Sequence, residues 1–110
     1  MKVEHKGHTT IIRDTESDSG VFLEKVTNQF ATFKETNVIL DMSHDVSLDI
    51  KAVKSFQDLA KKFKKEKKSF VLVTSAIDFN DVPSSLHVVP TLLEAHDLIE
   101  MEEIERDLGF

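Results

Sequence analysis

The chain contains no cysteine, which excludes disulfides, thiolate catalysis and cysteine-ligated metals. That lack also suits a reducing compartment. Glycine stands only at positions 7, 20 and 109, and proline only at 83 and 90. Glycines so placed cannot form a glycine-rich phosphate loop, and so few of either residue argue against disorder or a fibrous repeat. Long apolar runs are missing as well. No stretch is long enough to predict a membrane span, and Met1 to Lys6 has no apolar core of a signal peptide. The expectation is a single domain over residues 1-110, cytoplasmic, with no membrane partner.

What is present is globular: 40% hydrophobic and 31% charged residues in 110, enough chain to bury a core. The formal net charge of −6 argues against general affinity for nucleic acid. The distribution says more than the sum. Between Lys51 and Phe70 eight lysines face only Asp58 and Glu66, and between Glu94 and Phe110 seven acids face only Arg106. The plain reading is two solvated helix faces. The functional one is a charged docking surface or weak head-to-tail homodimer formation.

Periodicity places the elements. Val3 and His5, then Thr9 to Arg13, suggest two short strands around a turn at Gly7. Phe22, Val26, Phe30 and Phe33 make an apolar stripe on a helix beginning near Val21. Val38 to Met42 and Phe70 to Thr74 are short and continuously apolar, as strands buried on both faces are. Val53, Phe56, Ala60 and Phe63 define one helix from about Ile50 to Lys67 between them. Ala76 to Ser85 has room for only a turn of helix before a last strand at Leu86 to Val89. Thr91 and Glu94 form a capping box opening a final helix, whose apolar face should comprise Leu92, Ala95, Ile99, Ile104 and Leu108. The order ββ-α-β-α-β-turn-β-α predicts an α/β fold: a mixed sheet of four to five strands with a parallel centre, helices mainly on one face and an antiparallel amino-terminal edge.

The segment Asn37 to Ala52 carries the chemistry-bearing residues. Its strand ends Leu40-Asp41-Met42-Ser43, and Asp49 opens the helix that follows. Strand, short loop and helix start, with the element order above, resemble the STAS domain of anti-sigma-factor antagonists. The resemblance implies bacterial-type signalling through protein binding, with partners such as anti-sigma factors or switch kinases. In that family the loop continues Asp-Ser-(Ser/Thr)-Gly and the second hydroxyl takes a regulatory phosphate. Here the matching residues are Asp49-Ile50-Lys51-Ala52, with no hydroxyl to modify.

The residues allow three functions. The first is a non-catalytic interaction module binding a partner protein through residues 43-54, with His44, Asp45, Ser47, Asp49, Ile50, Lys51 and Lys54 in contact and no phospho-switch. The second is a small ligand-binding or hydrolytic domain using Asp41, His44, Asp45 and Ser47, whose carboxylates and hydroxyl such chemistry would want. Capping and loop hydrogen bonds are the simpler use of the same side chains. The third is a homo-oligomeric structural protein joined through its basic and acidic helices. The five histidines, at 5, 8, 44, 87 and 96, show no metal-ligand spacing. The expectation is therefore no catalytic residue, no metal and no cofactor.

Overall fold

A computed structural model describes residues 1-109. Strand β1 (Lys2–Lys6) pairs antiparallel with β2 (Thr9–Arg13) through a two-residue turn. Gly7 sits in that turn at φ +60°, a left-handed backbone that glycine adopts without strain. Parallel neighbours follow in sequence order: β3 (Asn37–Asp41), β4 (Phe70–Val73) and β5 (His87–Val89). Thr9 is level with Asn37, Val38 with Phe70, and Val71 with His87. This is the mixed α/β sheet with a parallel centre that the element order predicts.

The two apolar strands are buried on both faces because alternate side chains enter different cores. Val38, Leu40, Phe70 and Leu72 join Ile12 in one core. That core is covered by α1 (Ser19–Asn28), α2 (Phe30–Phe33), α3 (Ile50–Lys54) and α4 (Gln57–Lys65). Ile11, Ile39, Val71 and Val73 face the other way, against Ala95 and Ile99 of α5 (Leu92–Asp107). Four helices lie on one face and one on the other. Phenylalanines fill the larger core: Phe63 stacks on Phe70 at 5.4 Å and meets Phe30 edge-on at 5.0 Å, while Phe22 tilts against Phe56 at 6.4 Å.

The structure corrects three local expectations. The helix from Val21 is broken at Gln29, which ends α1 and starts α2, so the Phe22 to Phe33 stripe spans two helices. The helix from Ile50 is also broken, at Ser55 and Phe56. There Phe56 N–H reaches Val53 in a tighter turn, and α4 restarts with Ala60 N–H on the Phe56 carbonyl.

The third correction concerns α5, where Ile104 and Leu108 are exposed. At about 100° per residue, Ile104 lies about 140° round the helix from Ile99. The stripe that continues inward is Glu102, Glu103 and Arg106, each half-buried. Thr91 caps this helix as expected, its hydroxyl oxygen accepting Glu94 N–H at 3.2 Å. The return bond differs, because the Thr91 hydroxyl donates to the Glu94 carboxylate at 3.0 Å. Gly109 follows the helix at φ +82°.

Candidate functional site

The carboxyl ends of β2, β3 and β4 share one local device. At each, a side-chain oxygen accepts the N–H two residues on: Asp14 from Glu16 at 3.0 Å, Asp41 from Ser43 at 3.0 Å and Thr74 from Ala76 at 3.1 Å. Short polar side chains favour such turns because they supply the backbone with an acceptor once the sheet ladder stops. The device makes each strand end sharply.

Asp41 is 2% exposed. Its second oxygen accepts from the Arg13 guanidinium Nε at 3.1 Å. Burial pushes the Asp41 carboxyl up, but hydrogen bonds from the Ser43 hydroxyl and backbone and the Arg13 charge outweigh it and hold the group below the ordinary carboxylate range. Asp14, just past the end of the neighbouring β2, donates its N–H to the Asp41 carbonyl at 3.0 Å. Its Oδ2 is buried without a hydrogen-bond partner among the described residues.

Residues 43-49 form a loop whose inner side is fixed. The buried Asp45 carboxylate accepts both the N–H and the hydroxyl of Ser47, at 3.1 and 2.6 Å. Leu48 inserts into the larger core, and Asp49 caps α3 by accepting Ala52 N–H at 2.9 Å. Ser43, His44, Ser47, Asp49, Lys51 and Lys54 are exposed on the outer side. Asp45 is buried and Ile50 half-buried against the core, so of the seven residues expected to touch a partner these two support the loop from inside.

Val46 was not among the residues expected there. It is 89% exposed, a branched apolar side chain held out by an ordered loop. The signal available in the sequence was a lone valine amid Asp45 and Ser47 in a loop with no apolar periodicity. The next loop along the same edge presents Phe79, 41% exposed, in a 3-10 turn at Phe79–Asp81.

Asp41, His44, Asp45 and Ser47 do not converge on one point. Asp41 faces Arg13 and Ser43, Asp45 is satisfied by Ser47, and His44 lies in solvent. Among the described residues no group of three histidine, aspartate or glutamate side chains is placed to hold a metal ion. All crossovers between parallel strands also lie on one face, whereas the ligand crevice of open α/β sheets arises where successive crossovers diverge to opposite faces.

With only five residues, α3 puts Lys51 in its last turn as well as its first, so the macrodipole there is short and weak. Lys51 is an exposed ammonium in the helix following Val46. No family model and no curated protein matches the chain. No helix among the described residues is long and apolar enough to cross a membrane.

Proposed function

We propose that this protein is a non-catalytic interaction module that binds another protein through the loop and helix start at residues 43-54. Val46 carries the reading. An exposed branched side chain gains nothing from water, and a loop pinned at Asp41, Asp45, Leu48 and Asp49 presents it with little ordering entropy left to lose on binding. Lys51 and Lys54 on the helix beside it supply charge that orients an acidic partner surface. The STAS-like order of strand, loop and capped helix supports the same edge as the contact surface. With Ile50 and Lys51 at the phosphoacceptor positions, binding is constitutive and not switched by phosphate. The partner class is a signalling or assembly protein of the kind that STAS-like domains engage, and the setting is cytoplasmic.

The test is quantitative affinity capture from source cells, comparing wild type with folded Val46→Asp and Lys51→Glu variants. Lys61→Ser, an exposed lysine on α4 outside residues 43-54, serves as the control. A protein retained by wild type and the control, and lost with both loop variants, supports the proposal. Equal retention by all four removes the loop as the contact surface.

A further inference from the structure

At the opposite edge of the sheet, the amino ends of β4 and β5 and the last turns of α4 and α5 enclose a groove of about 610 Å³. Among the described residues its charged lining is Lys64, Lys67, Lys68 and Arg106 against the acid Glu102, with His87 beside them. Four fixed cations against one anion among the described residues is a local inversion in a chain of net charge −6. The volume falls within the range of small-molecule sites.

Lys67 supplies a second, independent observation. The end of α4 is a Schellman motif: Lys68 N–H bonds the Phe63 carbonyl at 3.0 Å and Lys67 N–H the Lys64 carbonyl at 3.0 Å. The residue between helix and exit then takes a left-handed backbone, and Lys67 does so at φ +58°. Glycine is favoured there because a Cβ strains this conformation. The chain places lysine at the strained position, with its side chain on the groove. Folding alone favours glycine there, and backbone held in such sparsely populated conformations clusters at functional sites.

The surroundings fix the size of the ligand. Lys68 and Arg106 also line a neighbouring hollow of about 230 Å³ whose other charged residues include Glu35, Glu103 and Asp107. The positive field therefore ends within one groove, and a long polyanion leaving it would meet the acids of α5. A compact ligand with dense negative charge fits, and Ser69, Ser84 and Ser85 add hydroxyl donors to the ammonium and guanidinium groups. We infer that the groove between the ends of α4 and α5 binds a small molecule carrying two or three phosphate groups, held by Lys64, Lys67, Lys68 and Arg106.

The experiment is a ¹⁵N-resolved NMR titration at low ionic strength with inorganic triphosphate, ATP, adenosine and a glutamate-rich peptide. Triphosphate should give saturable shifts at residues 64-69, 84-87 and 106, complete at about millimolar concentration, while signals of residues 43-54 stay still and keep this site distinct from the protein-binding loop. Triphosphate and ATP binding equally would identify the phosphates as the whole recognised unit, and tighter ATP would identify a nucleotide. Lys67→Gly should raise the melting temperature by a few degrees and weaken triphosphate about threefold or more, and Lys64→Ser with Lys68→Ser about tenfold or more, through lost charge. The inference is overturned by any one of these results: no saturable shifts with triphosphate, binding of the peptide or adenosine in its place, unchanged affinity in Lys67→Gly, or a lower melting temperature for that variant. Concentration-dependent shifts at these residues without ligand would assign the groove to a second copy of the chain and overturn it equally.

Discussion

Replacing Asn37 with alanine tests the way α5 is fastened to the sheet. Asn37 opens the central strand and is 3% exposed. Its Oδ1 accepts the buried Ser69 N–H at 2.9 Å and the Arg106 guanidinium at 3.3 Å, while its Nδ2 donates to Glu103 at 2.8 Å. Arg106 also donates to the Ser69 hydroxyl at 3.1 Å, which closes the network. Alanine would leave the Ser69 N–H buried without an acceptor, at about 1–3 kcal/mol, and remove two charge-assisted bonds that are partly open to water. The expected loss is about 2–4 kcal/mol, a large share of the roughly 5–15 kcal/mol of an ordinary domain. With no tryptophan or tyrosine in the chain, urea unfolding is best followed by far-ultraviolet circular dichroism. The midpoint should fall with the slope unchanged. Double-mutant coupling between Asn37→Ala and Glu103→Gln should reach about 0.5 kcal/mol or more. A loss below about 1 kcal/mol with no coupling would refute the claim that this polar stripe holds α5.

Two further changes probe the core and the carboxyl edge. Phe56 is fully buried between Phe22 and the larger core, so Phe56→Ala should cost about 3–5 kcal/mol in urea melts. The Asp41 carboxyl is held below its ordinary value of 3.8 in the folded chain, so its contribution to stability is present above that pH and is lost as pH falls through the lower folded value. Unfolding free energy measured by urea from about pH 5 down to about pH 2 should therefore flatten in Asp41→Asn relative to wild type; parallel curves would mean that Asp41 is not the group responsible.

Much of the fold was written locally. β3 and β4 announce themselves because their neighbours cover both faces, which demands apolar side chains in sequence without alternation. The start of α5 is legible because the two residues that cap it, Thr91 and Glu94, stand only three positions apart. The breaks at Gln29 and Ser55 were not legible, since an apolar stripe keeps its spacing across a single tight turn. The Asn37–Glu103–Arg106 network joins residues 66 and 69 positions apart, and only the docking of α5 makes them neighbours. The same holds for the basic groove: the sequence shows a lysine run, but only the fold sets it against Arg106 and leaves Lys67 at positive φ. At the loop after β3, residue types marked the place, while burial divided it into supports such as Asp45 and presented groups such as Val46 and Lys51.

The most direct test of the proposed binding surface is a calorimetric titration of the captured partner with wild type, Val46→Asp and Lys51→Glu, each shown by circular dichroism to be folded, at about 50 and about 500 mM salt. Wild-type affinity should fall as salt rises. Lys51→Glu should bind about tenfold more weakly at low salt, with the gap narrowing at high salt, because its effect is like-charge repulsion. Val46→Asp should bind at least about tenfold more weakly at both, because burying a carboxylate where a branched alkyl group stood is unfavourable at any ionic strength. Unchanged affinity in both folded variants would contradict the assignment and move the contact away from residues 43-54.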